Sequence, residues 1–196
     1  MSLLVVTGPP GAGKSTVAQL VAERDDPSVL VEGDAFFGFL ATGAVEPWLT
    51  AADRQNEIVI QAAGAAAGRF AAEGYATVYD GVVGAWFLPT FLAATGLDGL
   101  DYVVLLPPVE LCLARVRTRA GHGFTDVGAT RHMHAGFTRA EVAGRHVLVD
   151  PPDRPEVVAD LITAARADGR LRVDAGTGDS APGRRASTSG RTRGGG

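Results

Sequence analysis

Eight residues near the start, Gly8-Pro-Pro-Gly-Ala-Gly-Lys-Ser15, constrain this chain more than any other segment. They fit Gly-x4-Gly-Lys-Ser, directly after the apolar, β-branched run from Leu3 to Thr7 and ahead of apolar residues at Val17, Leu20 and Val21, the spacing of one helical face. Strand, glycine loop and helix in that order is the context in which the pattern has chemical meaning. Glycines let successive backbone N–H groups turn inward around phosphate oxygens, and the start of the following helix adds its positive dipole. The expected nucleotide-binding set is therefore Gly8, Pro9, Pro10, Gly11, Ala12, Gly13, Lys14, Ser15 and Thr16. In such a loop Lys14 reaches the β and γ phosphates and the Ser15 hydroxyl ligates Mg²⁺. The alternative is a glycine-rich turn with a purely structural role.

Composition reinforces the motif. Lys14 is the only lysine among 18 basic residues, and it stands at the one motif position where a compact ammonium is required and a planar guanidinium is too bulky. The same scarcity removes the Asn-Lys-x-Asp element with which guanine-specific GTPases read their base, so ATP is the expected nucleotide. Net charge is −4, and the segment from Asp174 onward carries four arginines against two aspartates, so the remainder is more acidic still. That balance disfavours a nucleic-acid binder. A single cysteine, Cys112, excludes an intrachain disulfide and fits a reducing cytoplasmic setting. No run approaches the length of a membrane span, and no basic signal region opens the chain, so a soluble, unprocessed protein is expected.

Further strands are expected at 28–31, 76–79, 102–106 and 146–149, with a long Ala-rich helix from a Thr50-Ala-Ala-Asp53 capping box toward Glu73, stopped by Gly74. Helical patterns follow Pro107-Pro108 over 109–119 and the last strand over 157–167. This alternation predicts one α/β domain, residues 1–173, with a five-stranded parallel sheet and helices on both faces. From residue 174 on, the Gly/Ser/Arg-rich sequence predicts a disordered tail.

Three groups of residues suggest chemistry. The run Ala76-Thr-Val-Tyr-Asp80 resembles a strand whose terminal carboxylate holds Mg²⁺; the alternative is a turn-forming Asp before Gly81. Phe36, Phe37, Phe39 and Trp48 suggest an apolar acceptor pocket, with core packing as the alternative. Arg115 and Arg119 share a helix face opposite Val109, Leu113 and Val116 and can point at phosphates, the alternative being a solvated basic helix end. Arg131 is a weaker candidate, and His132-x-His134 lacks the third ligand that a metal site needs.

From residue 3 to about 165 the chain resembles the small P-loop kinases of the nucleoside-monophosphate-kinase-like superfamily, with features of gluconate kinase and chloramphenicol phosphotransferase. The resemblance implies a three-layer P-loop NTPase fold and phosphoryl transfer to a small-molecule hydroxyl. It makes Asp34, at the end of Val31-Glu-Gly-Asp34, the catalytic base; the alternative is a helix cap. It likens Leu49-Thr-Ala-Ala-Asp53-Arg54 to an anion-clamping segment through Arg54, the stretch around 115–137 with its loop Gly121-His-Gly-Phe-Thr-Asp126 to a lid, and Asp150-Pro-Pro to the adenine loop. Gluconate kinases carry an acidic residue where Ala51 stands and a histidine soon after the second-strand Asp, so gluconate is not the expected acceptor. An antibiotic or other apolar-bodied metabolite fits better. Two other functions stay open: a nucleotide-gated regulatory ATPase without an acceptor, and a polynucleotide 5′-hydroxyl kinase, which the acidic core disfavours.

Overall fold

The structure, a computed structural model, describes residues 2–118 and 125–176. Strand β1 (Ser2–Thr7) enters the glycine loop and helix α1 (Lys14–Ala22). Strand β2 (Ser28–Glu32) passes into a short helix α2 (Gly33–Phe37), and a single 3₁₀ turn at Thr50–Ala52 leads into α3 (Asp53–Ala72). Then come β3 (Ala76–Asp80), α4 (Leu88–Thr95), β4 (Gly99–Leu106), α5 (Val109–Thr118), α6 (Val127–Arg139), β5 (Val147–Val149), α7 (Pro155–Ala167) and β6 (Arg172–Asp174). None of the described helices is long and apolar enough to cross a membrane.

Five strands run parallel in the order β2-β3-β1-β4-β5, so β1 lies centrally and its carboxyl end delivers the glycine loop to the middle of the sheet edge. Both faces of the sheet are covered, which is why the strands read as nearly unbroken apolar runs. Leu4, Val6, Val78, Val103 and Leu105 pack toward α1 and α7, while Leu3, Val5, Tyr79, Tyr102 and Val104 pack toward α3 and α4. Composition explains how closely α3 and α4 approach: a Cβ on Gly68 would lie 2.1 Å from the Thr95 carbonyl oxygen, so only glycine admits the neighbouring backbone there.

Three details differ from the sequence reading. A sixth strand, β6, pairs antiparallel with Gly99–Asp101, because β5 covers only Val104–Leu106 and leaves the first half of that edge open. Three residues are too few to show alternation, so Arg172-Val-Asp gives no strand signal. The fourth strand therefore starts at Gly99 rather than Tyr102, and the fifth at Val147, since His146 belongs to a 3₁₀ turn with its ring buried. Finally, Thr50 forms no side-chain cap: the backbone makes the 3₁₀ turn instead, and α3 opens at Asp53.

Candidate active site at the carboxyl edge of the sheet

The loop after β1 folds around three glycines with positive φ, Gly8 (146°), Gly11 (78°) and Gly13 (93°). Two of them also touch backbone: a Cβ on Gly8 would lie 2.2 Å from the Leu105 oxygen, and one on Gly11 2.4 Å from the Cys112 oxygen. The loop is thus seated between the end of β4 and α5. Helix α1 begins with no side-chain cap and no acidic residue in its first turn, the state in which helix N–H groups are available to an anion. The Lys14 ammonium donates to the Pro9 oxygen at 3.3 Å, folded back over the loop.

Beside this loop lies a cleft of about 390 Å³. Its floor is the run from Gly11 to Val17, its walls are Arg115 and Thr118 of α5 on one side and Pro151, Pro152, Asp153 and Pro155 on the other. The Arg115 guanidinium donates to the Gly11 oxygen at 3.4 Å, which sets its charge over the phosphate loop. Asp150 itself does not line the cleft. It takes the left-handed conformation (φ 47°) and donates its N–H to the Leu106 oxygen at 3.2 Å, and that turn presents the next three residues to the cleft.

At the same edge, β3 ends in Asp80, in register with Val6 on one side and Glu32 on the other. Strand alternation turns Asp80 to the face of Val78, the side on which α1 and the loop lie. It is only 8% exposed, and its Oδ1 is buried without a hydrogen-bond partner. A buried acceptor oxygen that the described residues leave unsatisfied fits a hydrated divalent cation. Asp34 stands exposed in the first turn of α2, two residues past Glu32. The loop after Asp80 is fixed from β1 and β4: Thr7 Oγ1 accepts from the Val83 N–H at 2.9 Å, and the Tyr102 hydroxyl donates to the Val83 oxygen at 2.8 Å.

Residues 3–142 match the model of a family described as AAA domain, a span that holds the glycine loop, Asp34, Asp80 and α5. The chain belongs to that family. Its fold is that of the P-loop small-molecule kinases. A tunicamycin resistance protein from Deinococcus radiodurans superimposes with a TM-score of 0.63 at 18% identity, over 84% of this chain and 95% of that one. For a sugar kinase from Janibacter the values are 0.61, 21%, 87% and 95%. For shikimate kinase from Acinetobacter baumannii, in complex with shikimate, they are 0.56, 22%, 87% and 96%. No curated protein matches the sequence.

Within this AAA domain the sequence-derived candidates fall into distinct places. Gly11 to Thr16 and Arg115 line the cleft with Pro151 to Asp153, whereas Gly8, Pro9, Pro10 and Asp150 do not, and Asp34 and Asp80 lie at the same sheet edge. Phe36 packs partly into the core and meets Phe39 edge-on at 5.4 Å, while Phe39 is 75% exposed. Phe37 and Trp48 are half-buried. The loop that carries Trp48 is tied to α3, where Gln55 exchanges two hydrogen bonds with the Val45 backbone and Asn56 donates to the Pro47 oxygen at 2.7 Å. Arg54 lies on the exposed side of α3, paired with Glu57 at 2.7 Å. Arg119 and residues 121–124 of the lid lie outside the described residues. Beyond them Asp126 caps α6 through the Ala129 N–H at 2.8 Å. Arg131 pairs with Glu110 at 3.1 Å and His134 bonds the Pro107 oxygen at 2.9 Å, so α6 is strapped to the start of α5. No group of three or more potential metal ligands from His, Cys, Asp and Glu occurs among the described residues.

Sequence reasoning passed over Tyr79, Asn56 and Trp86. Tyr79 and Asn56 read as ordinary strand and helix residues. Trp86, in the loop after Asp80, lies against Phe137 of α6 with ring centroids 5.3 Å apart, and its only sequence signal was an aromatic placed soon after a candidate metal carboxylate.

Proposed function

We propose that this protein transfers the γ-phosphoryl group of ATP to a hydroxyl of a small molecule. The observation that carries the reading is the pair of carboxylates, Asp34 and Asp80, that end or follow neighbouring in-register strands beside the glycine loop. They divide the work. Ser15 and Asp80 would hold Mg²⁺, which offsets the charge of the phosphates when bound. Asp34, exposed in the first turn of α2, accepts the hydroxyl proton as the new O–P bond forms and the bond from phosphorus to the β,γ-bridging oxygen breaks, releasing ADP. Lys14 and Arg115 neutralise charge on the phosphate oxygens, with Arg119 as a second lid arginine. The base is held between α5 and the 150–153 turn.

The aromatic segment around Phe36, Phe37 and Trp48 supports an acceptor with an apolar body, and the exposed Arg54 would meet an anionic group on it. Similarity of fold to a tunicamycin resistance protein agrees with an antibiotic-like acceptor, and similarity to sugar and shikimate kinases with a compact hydroxylated one. The reading places the protein in the cytoplasm, where ATP is available. Asp34→Asn keeps the side-chain shape but removes the proton acceptor. Its expected outcome is loss of at least ~100-fold in transfer rate with unchanged affinity for an ATP analogue by calorimetry. Equal loss of nucleotide affinity would assign Asp34 to the nucleotide site instead.

A further inference from the structure

Tyr79 has a buried ring and a hydroxyl that bonds none of the described residues. The residue is 2% exposed, and its ring lies against Phe91, 4.7 Å between centroids, in the core under α3 and α4. It stands one residue before Asp80 and pairs with Val31 of β2, which lies three residues before Asp34 of α2. The hydroxyl projects between two glycines: a Cβ on Gly33 would lie 2.3 Å from Oη, and one on Gly81 2.7 Å from it. Gly33 immediately precedes Asp34, and Gly81 immediately follows Asp80. The phenol end therefore lies between the two backbone segments that present the carboxylates, in a space that any larger residue at either position would close.

No described residue hydrogen-bonds this hydroxyl. The other large buried tyrosine, Tyr102, bonds the Val83 oxygen at 2.8 Å. Phenylalanine would fill the same core space, and the oxygen itself is not sealed from solvent, so the hydroxyl is placed to meet a ligand. A phenol is neutral near pH 7 and its O–H can donate. Asp34 takes the proton of the reacting hydroxyl, whose oxygen needs its lone pair for phosphorus. A donor bonded to that same oxygen would weaken the nucleophile. The oxygen that Tyr79 serves is a different one.

We propose that the Tyr79 hydroxyl donates a hydrogen bond to a second oxygen of the phosphoryl acceptor, adjacent to the hydroxyl that Asp34 activates. The acceptor class is then a vicinal dioxygen compound: a 1,2-diol, or a hydroxyl beside a ring oxygen or carbonyl. This inference rests on the kinase reading above. It also restricts that reading, since a mono-ol with an apolar body would leave Tyr79 unserved.

The test is Tyr79→Phe, assayed with labelled ATP and matched acceptors that differ by one oxygen: hexoses with their 2-deoxy counterparts, and cis-1,2-cyclohexanediol with cyclohexanol. The wild-type chain should prefer the dioxygen member by ~10- to 100-fold in kcat/KM. Tyr79→Phe should erase most of that preference while leaving the deoxy member's kcat/KM and the affinity for an ATP analogue unchanged, with no fall in melting temperature. A preference that survives in Tyr79→Phe overturns this inference and leaves the kinase reading standing. A lower melting temperature with equal losses on both members of a pair overturns it as well, since the hydroxyl would then support the fold. Transfer to no member of the panel overturns the kinase reading and this inference with it.

Discussion

Replacing Asp80 by alanine should stabilise the metal-free protein and destabilise it relative to wild type once nucleotide and Mg²⁺ are present. Asp80 is 8% exposed, its Oδ1 is buried without a partner, and its carboxylate makes no hydrogen bond with a described residue. An unsatisfied buried polar group costs roughly 1–3 kcal/mol, against which the truncation forfeits about 1 kcal/mol of packing. The net gain is about 1 kcal/mol, a rise of roughly 2–4 °C in melting temperature for a domain of this size. Saturation reverses the order. A ligand at about 100 times its Kd adds ~2.7 kcal/mol, or roughly 5–10 °C, and a variant whose affinity has fallen ~100-fold keeps only about 0.4 kcal/mol of that. Differential scanning fluorimetry in EDTA, and again with Mg²⁺ and a non-hydrolysable ATP analogue, reads both numbers. A variant that melts lower in EDTA yet shows the full ligand shift would refute the metal role and make Asp80 a turn residue.

Gly11→Ala should lower the melting temperature by roughly 2–8 °C and weaken nucleotide binding at least ~10-fold. The new Cβ would meet the Cys112 oxygen at 2.4 Å at a φ of 78°, and left-handed backbone alone costs an L-residue about 1–2 kcal/mol. Gly43→Ala is the control, with φ 70° but open space around it: a smaller fall and unchanged nucleotide affinity by titration calorimetry. Arg166→Met should remove about 2 kcal/mol of stability in urea unfolding and spare nucleotide affinity. Its guanidinium joins Asp101 at 3.2 Å, with the two side chains 14% and 19% exposed, and also bonds Ser2. That exposure puts the cost below the ~3–5 kcal/mol of a fully buried pair, and the pair lies at the amino end of β1 and β4, away from the cleft.

What the sequence made legible, and what it did not, follows from where the information is local. Gly8 to Ser15 could be read because a phosphate loop is contiguous, and each of its residue types answers to backbone conformation or phosphate chemistry. The five parallel strands were readable because burial on both faces writes them as short apolar runs. Strand β6 was not, since its reason for existing is the uncovered edge at Gly99–Asp101, a fact of sheet register. The capping box failed because Thr50 and Asp53 compete with a 3₁₀ backbone path that satisfies the same N–H groups. Tyr79 was invisible for a related reason: a tyrosine before a strand-ending Asp is ordinary, and only the approach of Gly33 across β2 and β3 reveals that its hydroxyl has been given space and no partner.

The central claim is acceptor-dependent phosphoryl transfer, and the fate of the γ-phosphate tests it most directly. With γ-labelled ATP, Mg²⁺ and a library of small hydroxyl compounds, the account predicts that one class of acceptor carries the label in a ratio of one to one with the ADP formed. ADP appearing at the same rate with and without every acceptor, with all label recovered as inorganic phosphate, would contradict it and describe a nucleotide-gated ATPase instead.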